Sequence, residues 1–131
     1  KEQRTILILS CQGKFALQKR PDKGLLAGLW EFPNLEGKYT KKQLSAWLKE
    51  QGMEVLEVTA GEKAVHIFSH IEWQMSSFHI RLARPVSQYT WANRKELEEI
   101  YSLPSAYSAF LGPILRGEGA QTTFTGLLDR E

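Results

Sequence analysis

The alternation of apolar and polar positions in the first third of the chain predicts several short β-strands. Residues 4–10 form an apolar, β-branched run typical of a buried strand. Residues 12–13 offer a turn, and residues 14–19 then alternate in polarity, so we expect an opening hairpin. A loop over residues 20–28, punctuated by glycine and proline, leads to a further strand at residues 29–32.

A helix is predicted over residues 41–51. Thr40 can cap its first turn, and Gln43 is placed to complete a capping box. Gly52 supplies the left-handed residue that commonly ends such a helix. The apolar stripe that would face the core consists of Leu44, Trp47 and Leu48. Strand character resumes over residues 55–58.

The apolar positions of residues 63–82 change parity midway along the segment. The first set is Val65, Ile67, Ser69, Ile71, Trp73 and Met75, and the second is Phe78, Ile80 and Leu82. Because an apolar face cannot change sides in an unbroken strand, we expect a bulge or bend near residues 76–77. Residues 68–70 lie where a turn could join two antiparallel strands, and His79 is expected on the solvent face.

The rest of the chain is predicted to be helical up to about residue 111. Asn93 can cap a short helix through Tyr101, and Pro104 fits the first turn of another. From Arg116 onward little core-forming periodicity remains, so residues 116–131 are expected to be a flexible tail. Residues 1–115 therefore read as one α+β domain with a β-sheet flanked by helices. No run approaches the ~18 apolar residues of a membrane span, and no membrane partner is expected.

Composition and charge bear on the compartment and the kind of ligand of this protein more than on its activity. Residues 1–50 carry ten Lys and Arg against five Asp and Glu, whereas residues 51–131 carry seven against ten. A phosphate-facing surface would need such a basic half, although chance asymmetry of a solvated surface explains the charges equally well. The lone Cys11 excludes an internal disulfide and a four-thiolate cluster, and it fits a reducing cytoplasm. The start at Lys1 suggests a piece of a longer protein.

Two segments resemble the Nudix family of nucleoside diphosphate hydrolases. They are Leu29-Trp30-Glu31-Phe32-Pro33 and the helix end Glu50-Gln51-Gly52-Met53. In that family, carboxylates on one helical face, in the pattern R-E-U-x-E-E-x-G-U with U aliphatic, hold Mg²⁺. With Gly52 aligned to the glycine of that pattern, Ser45 and Ala46 replace the first Arg-Glu pair, and Lys49 and Glu50 occupy the Glu-Glu pair. One carboxylate cannot hold the metal, so we expect a Nudix-like fold, with a mixed β-sheet flanked by helices, but without metal and without hydrolysis.

Three further motifs closely resemble the C-terminal domain of MutY-type adenine DNA glycosylases. They are Lys19-Arg20-Pro21 with the run from Gly24 to Pro33, His66-Ile67-Phe68-Ser69-His70, and Leu103-Pro104-Ser105-Ala106-Tyr107. The resemblance implies recognition of 8-oxoguanine in duplex DNA so that the adenine opposite is excised. It places the excision chemistry and a 4Fe-4S cluster in an N-terminal domain outside this chain, which would be this domain's partner. It also implies a bacterial cytoplasmic location, and no cofactor is expected in this chain.

The resemblance places the lesion contact on Phe68, Ser69 and His70. Oxidation at C8 turns the N7 acceptor of guanine into a donor and adds an acceptor at O8, and a serine hydroxyl can both accept and donate. Phe68 would wedge or stack against bases, and His70 would reach a base edge or a phosphate. The candidate phosphate contacts are Lys14, Lys19, Arg20, Lys23, Lys41 and Lys42.

Several alternatives stay open at this point. Phe68 could be a core residue, and Ser69 an ordinary turn hydroxyl. His66 and His70 have a zinc-like spacing only if helical, and no third ligand is evident, so metal binding is not expected. The chain could instead be an active nucleotide pyrophosphohydrolase or a protein-interaction module. In the tail, Gln121, Phe124, Leu127 and Leu128 resemble a sliding-clamp-binding peptide, a weak pattern that also suits a flexible segment.

Overall fold

A computed structural model describes residues 1–117 as one mixed β-sheet with helices on both faces. The strands are β1 (Glu2–Cys11), β2 (Lys14–Lys19), β3 (Trp30–Glu31), β4 (Asn34–Glu36), β5 (Val55–Ala60), β6 (Ala64–Ile67), β7 (Glu72–Leu82) and β8 (Thr90–Ala92). The helices are α1 (Lys41–Glu50), α2 (Arg94–Glu99) and α3 (Ser108–Leu115), the last preceded by a 3-10 helix at Ser105–Tyr107. No helix within the described residues is long and apolar enough to cross a membrane.

Strand β1 forms the centre of the sheet. It pairs in parallel with β7 along most of its length and antiparallel with β2 and β4. Strands β5 and β6 follow one another along the outer edge of β7, both antiparallel to it. The predicted opening hairpin is confirmed, and its turn residues Gln12 and Gly13 both have positive φ angles, 51° and 79°. A two-residue turn of this kind matches the twist of the strands that it joins.

Both faces of the sheet are buried, each under a different helical layer. Helix α1 covers one face, where Leu44 and Leu48 pack on residues of β1 and β7 such as Leu9 and Ile80. Helices α2 and α3 cover the opposite face, which holds a second apolar cluster. Its members from the strands and helices include Ile6, Ile8, Phe15, Trp73, Met75, Leu97, Phe110 and Ile114. The predicted mixed sheet with flanking helices is therefore confirmed.

Two predictions for strand β7 are wrong. The strand pairs with β1 in unbroken register from Trp73 to Arg81, without the expected bulge. The change of parity instead reflects burial on both faces: Trp73 lies in the α2–α3 cluster, whereas Phe78 lies in the α1 cluster. His79 is also buried rather than solvent-facing, and its Nε2 lies 3.0 Å from Oε1 of Glu62.

The irregularity lies in the neighbouring edge, between β5 and β6. Gly61 donates its backbone N–H to the Ser77 carbonyl oxygen at 2.9 Å, and the Ser77 hydroxyl donates to the Glu62 carbonyl oxygen at 2.7 Å. These bonds hold the connection against β7 while the edge is interrupted. The sequence carries no strong signal for this arrangement, because residues 61–63 are too few to alter the alternation visibly.

The helix signals were the most reliable part of the prediction. The capping box of Thr40 and Gln43 is present at the start of α1, and Gly52 has a positive φ of 76°. Asn93 and Glu96 form a second capping box at α2. The short strands β4 and β8 were not predicted, since three residues are too few to show a period. The tail was predicted for residues 116–131, of which residues 118–131 lie outside the described part of the chain.

Substituting Gly61 with alanine should destabilise the fold. A Cβ at Gly61 would lie 2.6 Å from Cδ2 of His79 and 2.7 Å from Oγ of Ser77. Such overpacking typically costs about 1–3 kcal/mol in the free energy of unfolding, measurable by urea titration. Thr59→Ala, at an exposed position of the same edge, should change it by less than about 0.5 kcal/mol. Equal stability of both variants would contradict the close packing.

Candidate nucleic-acid interface

The turn between β6 and β7 presents the predicted lesion-contact residues. The backbone N–H of Phe68 donates to the carbonyl oxygen of Ile71 at 2.7 Å, which closes a four-residue connection between the antiparallel strands. Ser69 and His70, at the tip of this turn, are exposed. The Ser69 hydroxyl forms no hydrogen bond within residues 1–117, so it is free to accept and donate.

Phe68 anchors the turn on the protein. Its ring is half-buried and meets Trp73 edge-on, with 5.1 Å between the ring centroids. The His66 ring also meets Phe68, with 4.7 Å between the ring centroids. Edge-to-face pairs of this kind stabilise by about 0.5–1.5 kcal/mol beyond their buried area. The alternative that Phe68 is a core residue is therefore partly correct, because its ring is half-buried. Phe68 is also the first residue of the turn, and its contact with Trp73 holds the turn on the protein.

An apolar side chain that sequence reasoning did not single out lies beside the tip. Ile67 is 69% exposed, although it directly precedes Phe68. It pairs with Glu72 in the β6–β7 ladder, so it projects on the sheet face opposite to that of His66 and Trp73. Parity counted through residues 63–75 had grouped Ile67 with Trp73, but the turn between β6 and β7 separates the two strands, and the two side chains project on opposite faces.

A buried ionic cluster around Glu31 contacts the Trp73 ring through Arg20. The carboxylate of Glu31 accepts from Gln18 Nε2 at 2.8 Å, Arg20 Nη1 at 2.9 Å and the Tyr107 hydroxyl at 2.8 Å. Burial, together with the Glu31 carboxylate, raises the pKa of Tyr107 far above its usual value, so the phenol remains a hydrogen-bond donor. The guanidinium of Arg20 also lies 5.2 Å from the centroid of the Trp73 ring.

Arg20 is therefore a structural residue and leaves the set of candidate phosphate contacts. Its side chain is only 12% exposed, and its Nε donates to the carbonyl oxygen of Leu25 at 2.8 Å. That bond closes the loop of residues 20–28, which the backbone bond from Gly28 N–H to the Pro21 oxygen also shapes. Because Arg20 and Phe68 both contact Trp73, this loop and the β6–β7 turn meet at one side chain.

The predicted lysines do not form a single patch. Lys14, Lys19, Lys23, Lys41 and Lys42 are all exposed. Lys19 lies at the end of β2 beside the loop, with its ammonium 5.2 Å from the Trp30 ring centroid. Lys14, by contrast, pairs with Cys11 at the far end of β1, whereas the turn adjoins the Glu2 end. Nine residues of strand separate these ends, roughly 30 Å, so Lys14 is not part of the surface around the turn.

Helix α1 carries the degenerate Nudix positions on its solvent side. Ser45, Ala46, Lys49 and Glu50 are all exposed. Within the described residues, no group of three or more His, Cys, Asp or Glu side chains could hold a metal ion. These four positions thus provide one carboxylate and one ammonium, a set that does not fit the several hard oxygen ligands that Mg²⁺ prefers.

Comparisons with known proteins agree with this architecture. The sequence model of a family described as NUDIX domain matches residues 4–112. The chain is 27% identical over 100 residues to an adenine DNA glycosylase of Schizosaccharomyces pombe and 35% identical over 74 residues to one of Arabidopsis thaliana. These matches cover 66% and 45% of this chain but only 22% and 12% of the two relatives, so the chain spans a small part of their length.

Solved structures show the same fold. The C-terminal domain of mouse MUTYH, in a complex with human PCNA, superposes with a TM-score of 0.67 at 23% identity, covering 92% of this chain and 93% of that one. A MutT protein from Methanosarcina mazei Go1 superposes with a TM-score of 0.59 at 15% identity, covering 88% and 94%. The predicted Nudix-like fold and the predicted resemblance to adenine DNA glycosylases are confirmed.

Replacing Arg20 with methionine should be strongly destabilising. The change leaves the Glu31 carboxylate buried without its cation, and breaking a buried pair in this way typically costs about 3–5 kcal/mol in the free energy of unfolding. Arg81→Met is the matched control, since Arg81 and Glu57 form a pair in which both side chains are 47% exposed, and should cost at most about 1 kcal/mol. Adding Glu31→Gln to Arg20→Met should restore part of the loss. Similar denaturation midpoints for the two arginine variants would contradict the role of the cluster.

Proposed function

Because this chain belongs to the NUDIX domain family and resembles a short part of adenine DNA glycosylases, we propose that it is the domain of such an enzyme that recognises 8-oxoguanine opposite adenine. The observation that carries the proposal is the exposed Ser69 at the tip of a turn whose neighbouring residue, Phe68, is packed against Trp73. A reading group needs both access to the base and a fixed position. This turn offers both.

The hydroxyl of Ser69 has the chemistry to detect the lesion. It can accept from the N7–H of 8-oxoguanine and donate to O8, whereas undamaged guanine offers a bare acceptor at N7. A lost or unsatisfied hydrogen bond at a desolvated contact costs about 1–3 kcal/mol. Ser69 would thus discriminate between the two bases through one donor and one acceptor.

The residues beside Ser69 would divide two further tasks. Phe68 holds the turn through its contact with Trp73, so its ring is less available to the DNA than an exposed wedge would be. Ile67 presents an exposed apolar side chain that could lie against a sugar or the face of a base. His70 is exposed at the tip and could donate to a base edge or a phosphate.

Adenine excision itself would be carried out by another part of a longer protein. The chain corresponds to 22% or less of the length of its glycosylase relatives, and α1 lacks the carboxylates for Nudix hydrolysis. The N-terminal glycosylase domain as partner, and its 4Fe-4S cluster, remain predictions that follow from the resemblance. Within such a protein this domain would select which adenine is removed.

A sliding clamp is a second proposed partner. The mouse MUTYH C-terminal domain is known in complex with the clamp PCNA, and Gln121, Phe124, Leu127 and Leu128 have the spacing of a clamp-binding peptide. These residues lie outside the described part of the chain.

Deleting residues 121–128 should abolish binding of this chain to a purified sliding clamp in a surface-plasmon experiment. A chain with Phe124 and Leu127 both replaced by alanine should behave like the deletion, and replacing Thr122 and Thr123 should have little effect. Undiminished clamp binding by the deletion variant would remove the proposal.

Replacing Ser69 with alanine should weaken lesion discrimination. We expect the unmodified chain to bind a duplex with 8-oxoguanine opposite adenine more tightly than one with guanine opposite adenine, and the Ser69→Ala change to reduce that ratio about 5- to 150-fold, from the loss of about 1–3 kcal/mol. Fluorescence anisotropy at low salt measures both affinities. Ser69→Thr, which keeps a hydroxyl, should retain part of the preference, and Ser45→Ala on the exposed side of α1 should retain all of it. The same ratio in the Ser69→Ala and unmodified chains would refute the assignment.

A further inference from the structure

A groove of about 470 Å³ lies on the α1 face of the sheet, at the end where β6, β7 and β1 run side by side. Its lining combines the polar residues Gln3 and Gln74 with Val65 and two lysines, Lys38 and Lys63. Neither Lys38 nor Lys63 was among the predicted phosphate contacts. Among residues 1–117, no Asp or Glu lines the groove.

The segment that carries Lys38 is fixed to the central strand. The backbone N–H of Gly37 donates to the carbonyl oxygen of Gln3 at 2.8 Å. The hydroxyl of Thr5, which is fully buried, donates to the Gly37 oxygen at 2.9 Å and accepts from the Tyr39 N–H at 3.0 Å. Lys38 therefore projects from a stretch of backbone held on both sides.

The segment that carries Lys63 is fixed in a similar way. Its neighbour Glu62 accepts from the Ser77 hydroxyl through its carbonyl oxygen and lies 3.0 Å from Nε2 of His79 through its carboxylate. Both Ser77 and His79 are buried in β7. The two lysines thus extend from anchored backbone, and only their own side-chain rotamers remain to be ordered when an anion binds.

Both ammonium groups are free to bind an anion. Within residues 1–117, Lys38 and Lys63 form no ion pair, whereas the arginines at positions 4, 20, 81 and 84 each have a glutamate partner. The carboxylate of Glu72, next along the strand from the groove, accepts from the Gln74 Nε2 at 2.9 Å. That bond directs the amide N–H₂ of Gln74 toward Glu72. The charged residues that line the groove are the two lysines.

The groove also lies close to the turn. Val65 in its lining precedes Ser69 by four residues, at most about 13 Å of extended chain. One strand of B-form DNA advances about 3.4 Å per nucleotide along the helix axis. Because the lysine side chains add their own length to this separation, a phosphate bound in the groove would belong to a nucleotide within a few positions of the base at the turn.

We propose that Lys38 and Lys63 bind phosphodiester groups of the same DNA duplex whose lesion the Ser69 turn reads. The inference rests on the proposed function for the identity of the ligand. It adds a second contact that is independent of the base at the turn. Phosphate contacts fix the register of a protein on DNA without reading sequence, and base contacts supply the specificity.

The test uses the full 131-residue chain with Lys38→Gln, Lys63→Gln and the double variant. Each single change should weaken binding to the 8-oxoguanine duplex and to the undamaged duplex by the same factor, on the order of fivefold, and lower the slope of log K against log salt by about one. The preference for the lesion should not change. Lys49→Gln, exposed near the other end of α1, is the matched control and should leave the slope unaltered.

The outcomes separate this inference from the proposed function. If the double variant keeps both the salt slope and the lesion preference, the proposed phosphate contacts in the groove are wrong and the role of Ser69 is unaffected. If the double variant has a lower salt slope but no lesion preference is observed, the phosphate contacts are supported and the role of Ser69 is contradicted. A further experiment titrates dGMP into the chain while NMR follows the amide chemical shifts. If the shifts at the groove saturate, and DNA binding does not depend on either lysine, the groove binds a free nucleotide and the DNA assignment is wrong.

Discussion

Glu31 carries a carboxylate that is almost fully buried, and donors from three separate parts of the chain converge on it. Gln18 comes from β2, Arg20 from the loop after that strand, and Tyr107 from the 3-10 helix before α3. A carboxylate in this position would be strongly destabilising without its partners, since an uncompensated buried charge costs several kcal/mol. The strand, the loop and the C-terminal helical layer are thus bound to one another by a single acceptor.

Trp73 connects the cluster around Glu31 to the turn between β6 and β7. Its ring contacts the guanidinium groups of Arg20 and Arg4, with distances of 5.2 and 4.9 Å to the ring centroid, and it meets Phe68 edge-on. The turn therefore does not depend on its own short backbone for its position. A reading loop gains specificity when its tip is exposed and its base is rigid, because less conformational entropy is lost on binding. This is the arrangement at Ser69.

How well sequence predicted structure depended on the range of the interactions involved. Capping boxes at Thr40 and Asn93 and the turn at Gln12 were predictable because a few neighbouring residues determine them. The bulge in β7 was predicted wrongly because the argument assumed one buried face, and only the pairing of β7 with β1 reveals that both are covered. Arg20 was expected at the surface because its partner Glu31 lies eleven positions away along the chain.

The same reasoning explains why the basic half of the sequence was an incomplete guide to the basic surface. Residues 1–50 hold ten of the seventeen Lys and Arg residues, yet Arg20 is buried and Lys14 lies at the far end of the sheet from the turn. Lys63 belongs to the acidic half, and the fold brings it to the groove that Lys38 also borders. Charge counted along the chain therefore predicts the wrong location for the positive electrostatic potential. That potential depends on where the fold places each ammonium group and on whether a carboxylate neutralises it. A chain with a net charge of +2 can in this way form a groove that, within its described part, is lined by lysines and by no acidic residue. Such a groove can hold a phosphate backbone close to a turn that reads a single base.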